Sequence, residues 1–512
     1  MKKKSILAST LLITLAVFVT KILSVLKKSL IAAICGASLE TDTYFIATSI
    51  MMLLGSVFFS SVSISLLSMY TLRLVSEGRE SANNLMNAAL RFFLPASMLI
   101  ALVFVAGAPV VARILAPFYS GDSLQLLASY IRLLAVMFVF ICYFLLMNVV
   151  LETDKRFLPG KGYGFFQNVL TCIAVVSLYP KFGIVSLIYA FLLAGFLQCV
   201  QITWSARHQF RFLLSVKPEH GAIRQLLLLS LPLFIGNAIY EINDIVDKQI
   251  ATGLGGGGVS FLSYGASINE MVTTLIISSV STVMFSYYAT WISNNEIQKV
   301  KNNFLKSINY LVILILPFMI MCFTCGDCIV DILYGRGNFD SAAGIATTGV
   351  VYGYAAGFLF QATRATIIRV YYAFQDTRMP MYNGMAAVCI NIVLSLLLSR
   401  RFGVSGIAIA TSISMFIVSL LLLPGLKKHI PDLSLKPIVP DCLKGMAIAA
   451  ATGLAGYAVR SALSFGSVGI FLILGCLVVI MYTGLGLLFN ISAVTELKNM
   501  LLKRLGAGGG AE

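Results

Sequence analysis

Arg401-Phe402-Gly403 opens a stretch, VSGIAIATSISMFIVSLLLLPGL at 404–426, in which no charged residue occurs before Lys427-Lys428. In a helix its 23 residues rise roughly 35 Å, enough to cross the ~30 Å hydrocarbon core of a bilayer. The basic pairs at its ends suit the headgroup layers. At an offset of 220, Lys181-Phe182-Gly183 opens a similar stretch that runs to 206. The segment therefore reads both as a membrane span and as one copy of a repeat.

Working outward, comparable apolar segments lie at about 6–34, 43–70, 84–114, 124–151, 159–179 and 183–206, then at 224–252, 259–290, 303–334, 342–373, 379–399 and 403–425, and finally at 441–461 and 467–489. That makes fourteen. Composition agrees, with 59% hydrophobic and 11% charged residues and a mean hydropathy of +0.92 over 512 residues, against roughly 25% charged in soluble domains. The net charge of +16 comes from 37 Lys+Arg against 21 Asp+Glu. In a soluble chain it would suggest nucleic acid; here the basic residues fall in short connections between spans, which excludes that partner.

Their placement predicts topology. Connections read as cytoplasmic carry Arg73, Arg79, Lys155, Arg156, Lys161, Arg207, Arg211, Lys217, Arg224, Lys299, Lys301, Lys306, Arg378, Lys427, Lys428, Lys436, Lys498, Lys503 and Arg504, whereas outer ones carry Lys181, Arg336, Arg400, Arg401 and Arg460. The alternation puts both termini in the cytoplasm. The opening Met1-Lys2-Lys3-Lys4 imitates a signal peptide, but no small-residue cleavage pattern follows the apolar run to Val19, and an uncleaved first helix is expected.

The repeat decides the architecture. Lys28-Ser29-Leu30-Ile31-Ala32 matches Lys248-Gln249-Ile250-Ala251-Thr252, and Thr43-Tyr44 matches Ser263-Tyr264, both at 220. Ile114-Leu115 matches Ile332-Leu333 at 218, and Asp154-Lys155-Arg156 matches Asp376-Thr377-Arg378 at 222. Five matches in order at nearly one offset imply duplication. An even number of helices per copy makes the repeats parallel, with a substrate site expected between the lobes. The expected fold is an all-α integral membrane protein of about 14 transmembrane helices. Residues 1–215 form an N-lobe of six helices and 216–430 a C-lobe of six, in parallel pseudo-twofold repeat, and 431–512 hold two further helices and a cytoplasmic tail.

Ionisable residues inside spans mark candidate function. The first helix carries Lys21, Lys27 and Lys28; 21, 24 and 28 share a face, while Lys27 points away and, with Lys28, also suits snorkelling to headgroups. The seventh carries Glu241, Asp244, Asp247 and Lys248, of which Asp244 and Lys248 are spaced to pair, leaving Glu241 and Asp247 in need of a cation, a proton or a basic partner. The tenth carries Arg364 and Arg369 and leads into Gln375-Asp376-Thr377-Arg378-Met379-Pro380, a turn signal.

Other features argue against enzyme chemistry. The run Gly255 to Gly258 lacks a following Lys-Ser/Thr pair and reads as a hinge rather than a phosphate cradle. Cys322, Cys325 and Cys328 lack a clear fourth ligand. The three histidines, His208, His220 and His429, fall in predicted loops, which leaves little for acid–base catalysis.

The run Thr20-Lys21-Ile22-Leu23-Ser24-Val25-Leu26-Lys27-Lys28, then Gly36 and Thr41-Asp42-Thr43-Tyr44-Phe45-Ile46-Ala47, resembles the first-helix signature of the MurJ/MviN lipid II flippases. Tyr334-Gly335-Arg336-Gly337-Asn338-Phe339-Asp340 and Tyr371-Tyr372-Ala373 with Asp376-Thr377-Arg378-Met379-Pro380 are similar to later motifs of that family, and the likeness covers essentially the whole chain. It implies a MOP-superfamily exporter of an undecaprenyl-pyrophosphate-linked peptidoglycan precursor in the bacterial inner membrane. It implies pyrophosphate contacts at Lys21 and Lys27, both Lys where the family usually has Arg; Lys28 stands in place of an acidic neighbour, and Asp42 carries over the acidic residue before the second helix. The family's basic positions on helices two and eight fall near Leu54-Gly55 and Ser267, with Lys28, Lys248 or Arg364 as candidates to compensate.

The expected function is therefore transport of lipid II by alternating access, with Lys21, Lys27, Lys28, Asp42 and Arg364 as substrate-binding residues. No cofactor is expected beyond Na+ or H+ as coupling ion, at Asp244, Asp247 or Asp376. The expected partners are a lipid-linked glycan and membrane lipids, and the expected state is a monomer. The alternatives are a flippase for another lipid-linked oligosaccharide and a multidrug-extrusion antiporter, though a cationic first helix would repel organic cations. A membrane glycosyltransferase is a further rival, but the outer loops are too short for a catalytic domain.

Overall fold

In lipid every backbone N–H and C=O must be bonded within the protein, so apolar spans of this length can only be helices or closed barrels. The computed structural model describes residues 3–213, 220–430, 433–462, 464–496 and 498–499; Lys217, Lys503 and Arg504 of the charge pattern lie outside them. Of the described residues 87% are helical, and none is in a strand.

The helices are α1 (Lys3–Cys35), α2 (Leu39–Ser76), α3 (Arg79–Ala106), α4 (Ala108–Leu115), α5 (Asp122–Leu134), α6 (Met137–Thr153), α7 (Leu158–Lys161), α8 (Tyr163–Ser177), α9 (Tyr179–Phe182) and α10 (Val185–Ala206). They continue as α11 (His220–Thr252), α12 (Gly258–Val272), α13 (Ser279–Ser293), α14 (Ile297–Tyr334), α15 (Ser341–Ala355), α16 (Phe358–Ala373), α17 (Arg378–Phe402), α18 (Val404–His429), α19 (Val439–Ala462) and α20 (Ser467–Leu488). A π-helical stretch, Thr273–Ser278, joins α12 to α13. Among the described residues 11 helices are long and apolar enough to span, or 12 with the pair α15 and α16, bent by 43°. The other two predicted segments coincide with α1 and with the broken run α7 to α9.

The backbone carries the repeat. Lys155 and Gln375, both non-glycine residues in the left-handed region (φ 60° and 59°), end α6 and α16 at an offset of 220, and Gly183 and Gly403 (φ 61° and 58°) precede α10 and α18 at the same offset. The break between α3 and α4 at Gly107 recurs at Cys325, where α14 leaves helical geometry. That offset, 218, is the one by which Ile114-Leu115 matches Ile332-Leu333. At the elbow the backbone register is 220, not the 222 read from Asp154 and Asp376, so those two aspartates are not equivalent.

Two compact units are resolved. Unit 1 is Met1–Ser260 with Arg336–Asp340, and unit 2 is Phe261–Gly335 with Ser341–Glu512. In unit 1, α2 packs on α3, α5, α6 and α11, while α1 lies on α7 and α8. In unit 2, α14 packs on α15, α16, α19 and α20, and α18 on α15, α16 and α17; Tyr288, Phe304, Leu316, Ile367, Tyr371 and Leu422 form part of its core. The units divide at 260, because α11 packs on α2, whereas the repeat divides at 215. The lobes 1–215 and 216–430 are kept as a proposal about duplication.

Helix lengths revise some local readings. Arg224 lies within α11 and Lys299, Lys301 and Lys306 within α14, so these cations extend helices rather than occupy loops. His220 begins α11 and His429 ends α18. Arg460, read as an outer-loop charge, sits in the last turn of α19, where it donates to the Thr324 carbonyl at 2.6 Å and pairs with Asp327. Thr324 directly precedes Cys325, so Arg460 braces the break in α14.

Candidate functional site

Lys21, Lys27 and Lys28 of α1 are each half-buried. Their helix is held on α8, where Asn168 Nδ2 donates to the Thr20 carbonyl at 3.0 Å and Gly164 lies against the Thr20 methyl, and Lys27 lies within electrostatic reach of Cys172. Lys21 and Lys28, seven residues apart, share a face, as their spacing predicts.

The C-terminal end of α1 explains a motif that the sequence only displays. Asn338 donates its backbone N–H to the Ala33 carbonyl at 2.7 Å and its side-chain amide to the Ile34 carbonyl at 2.7 Å, so it satisfies two orphan carbonyls at the helix end. Gly337 (φ 61°) is forced, since a Cβ there would lie 2.1 Å from the Ala33 oxygen.

Asp42 is fully buried in the first turn of α2. Its Oδ2 accepts from Gly257 N at 2.8 Å, and its Oδ1 accepts from Ser260 N at 2.7 Å and Ser260 Oγ at 2.6 Å. The glycine run, with Gly255 and Gly257 at φ 99° and 90°, thus forms an anion nest whose anion is this carboxylate. The hinge reading of the run missed that role, because the nest's anion comes from 215 residues away.

On α11 the expected pair forms: Lys248 Nζ lies 2.5 Å from Asp244 Oδ2 and donates to Ser49 Oγ of α2 at 2.6 Å. Asp247 is buried and accepts from Asn243 Nδ2 at 3.1 Å.

Arg364 and Asp376 belong to unit 2. Arg364 is buried on α16, and its Nε donates to Asn383 Oδ1 at 2.9 Å, while Asn383 Nδ2 donates to the Val418 carbonyl at 2.7 Å. Gln361, one turn before Arg364, donates to Asn269 Oδ1 of α12 and accepts from the hydroxyl of Thr273, the first residue of the π-helical stretch. Sequence reasoning missed this amide network. The available signal was the in-span pair Asn383 and Asn391, eight residues apart on one face.

Asp376 lies between α16 and α17. Its Oδ1 accepts from Arg378 N at 3.1 Å and Met379 N at 3.2 Å, and its Oδ2 meets His429 Nε2 at 3.1 Å; the His429 ring stacks on Phe374. Burial pushes the Asp376 carboxyl up, but the hydrogen bonds from His429, Met379 and Arg378 and the nearby His429 charge outweigh it and hold the group below its ordinary value. A depressed carboxylate stabilises the fold above its unfolded-state value and loses that contribution as pH falls through the folded value. Asp376→Asn is expected to lower the thermal unfolding midpoint by the equivalent of about 1 kcal/mol at neutral pH. The difference from the unaltered protein should shrink to nothing as pH drops through the acidic end of the carboxylate range. A difference that grows on acidification would refute the elbow's role.

Two places where the resemblance leads one to expect basic residues are packed. A Cβ at Gly55 would lie 2.7 Å from Ile141 Cδ1, and Ser267 is buried with its hydroxyl donated to the Ser263 carbonyl at 2.8 Å.

A family model described as "Lipid II flippase MurJ" matches residues 31–477. A probable lipid II flippase MurJ of Treponema pallidum (strain Nichols) is 24% identical over 439 residues, covering 83% of this chain and 82% of that protein. One of Rhizobium tropici is 23% identical over 406 residues, covering 77% and 76%. Among solved structures, a lipid II flippase MurJ in an inward closed conformation aligns with a TM-score of 0.81 at 22% identity over 94% of this chain and 98% of that one. An inward-facing multidrug resistance MATE transporter of the MOP superfamily aligns at 0.69 and 13% identity, over 82% and 96%. At these identities the structural likeness establishes the fold.

Proposed function

The chain belongs to the lipid II flippase MurJ family, and from that premise we propose that it carries lipid II from the inner to the outer leaflet of the bacterial cytoplasmic membrane by alternating access. The observation that carries the reading is the cationic first helix. Lys21, Lys27 and Lys28 are half-buried along one span, and a pyrophosphate leaving water needs basic groups already held in place. Arg364, held by Asn383, is a further candidate cation. Asp42, with its carboxylate fully engaged, is proposed to position the start of α2 rather than to touch the lipid.

Coupling to Na+, H+ or the membrane potential is assigned by proposal to the α11 carboxylates Asp244 and Asp247, with Asp376 as a pH-responsive elbow. Both termini are proposed to be cytoplasmic. Cysteine labelling in intact cells should reach position 338 and not position 428, and the reverse would invert the topology.

The packed sites at Gly55 and Ser267 favour a second reading, a lipid-linked glycan other than lipid II. Depletion decides between them. Accumulation of lipid II in the inner leaflet supports the first reading, accumulation of a different undecaprenyl-pyrophosphate glycan supports the second, and accumulation of neither refutes both.

A further inference from the structure

A cavity of about 440 Å3 lies in unit 1 between α3 and the opening turns of α11. Arg91 and Arg224 supply its charged groups with the His220 imidazole beside them, and Phe92, Ile223 and Leu227 belong to its apolar wall. Both arginines are exposed at its mouth, and guanidinium stays charged at any physiological pH. Neighbouring backbone is fixed rather than loose. Asn83 Nδ2 donates to the Gln209 carbonyl at 3.1 Å, Asn87 Nδ2 to the Arg211 carbonyl at 3.3 Å, and Leu213 N to Asn87 Oδ1 at 2.9 Å. The segment bearing Arg207 and Arg211 is thereby pinned along α3, and the backbone of Arg211 lies one turn before Arg91.

Away from this basic end, both helices turn apolar and exposed. On α11 Leu228, Leu231 and Ile235 follow at one-turn spacing, and on α3 Leu99 and Leu102 follow Phe92. A basic recess opening onto two apolar helix faces is complementary to one kind of molecule: a phosphate on a short polar head, with acyl chains running along the helices.

We propose that this groove is a binding site for an anionic phospholipid of the phosphatidylglycerol class, with its phosphate between Arg91 and Arg224 and its chains along Leu228 and Leu231. The cavity suits a glycerophosphate head, whereas the sugar–peptide head of a peptidoglycan precursor is too large for it. The site lies apart from Lys21, Lys27 and Lys28, whose helix α1 packs on α7 and α8. With both termini cytoplasmic, as proposed above, the groove faces the inner leaflet.

The test uses the full chain in phosphatidylcholine nanodiscs, titrated with fluorescent phosphatidylglycerol. The double variant Arg91→Gln/Arg224→Gln should bind it at least tenfold more weakly, Arg91→Lys/Arg224→Lys should recover most of the loss, and Lys181→Gln should match the unaltered protein. Unchanged affinity in the Gln variant, with helical content intact, would overturn the proposal. So would full competition by inorganic phosphate at concentrations equal to the lipid, which would mean a site for free anions. Loss of undecaprenyl-pyrophosphate binding with phosphatidylglycerol binding preserved would make the groove a substrate site and would also overturn it. Failure here leaves the flippase reading standing, because that is read from the lipid that accumulates on depletion.

Discussion

Lys21→Ala and Lys27→Ala are each expected to abolish complementation of a flippase-deficient strain while membrane abundance stays near normal. The two readouts separate because both side chains are only half-buried, and removing a cation from the side of a span spares the protein a desolvation cost rather than adding one. The substrate loses instead. Removing one partner of a desolvated charge pair costs about 3–5 kcal/mol, two to four decades in affinity at roughly 1.4 kcal/mol per decade. Arg at either position should be tolerated, since charge at that depth is what the pyrophosphate needs. Lys181→Ala, in the exposed turn of α9, should complement fully. If both α1 alanine variants complement as well, the lysines only anchor the helix, and the substrate assignment loses its physical basis.

How much of this is legible in the sequence depends on whether the cause is local. Span positions are legible because bilayer thickness imposes a length on apolar runs, and the Asp244–Lys248 pair because i,i+4 spacing places the two groups together. The repeat is legible too, and its backbone markers at Lys155 and Gln375 and at Gly183 and Gly403 show that the duplication preserved turns better than side chains. Asp154, which pairs with Arg79 at 2.6 Å, and Asp376, which caps α17, look alike in sequence and do different work. What stays hidden is tertiary. Nothing near Gly257 announces that its N–H meets Asp42, nothing near Asn338 announces that it caps α1, and the packing of α11 on α2 shifts a unit boundary that periodicity alone places at 215.

Asp42→Ala should produce the opposite pattern to the lysine variants, with loss of folded protein before any question of transport arises. The carboxylate accepts three hydrogen bonds in a site without solvent access. Hydrogen bonds to charged groups contribute about 1.5–3 kcal/mol each, and truncation leaves the Gly257 and Ser260 N–H groups buried without their acceptor. Ser260 N belongs to the first turn of α12, which begins in unit 1, so the variant also strips an anion from a helix N-terminus. Losses of this kind are partly shared rather than additive. A destabilisation of about 3–5 kcal/mol is still a large part of the 5–15 kcal/mol that holds a typical fold. Membrane abundance should fall severalfold, and detergent-solubilised protein should unfold at a clearly lower temperature. Asp42→Asn keeps the shape and one acceptor oxygen but turns an N–H donor toward the Gly257 or Ser260 N–H, so it should fall between the two. Normal abundance with lost transport in Asp42→Ala would mean that the carboxylate acts on the lipid directly, and the positioning role given to it here would be wrong.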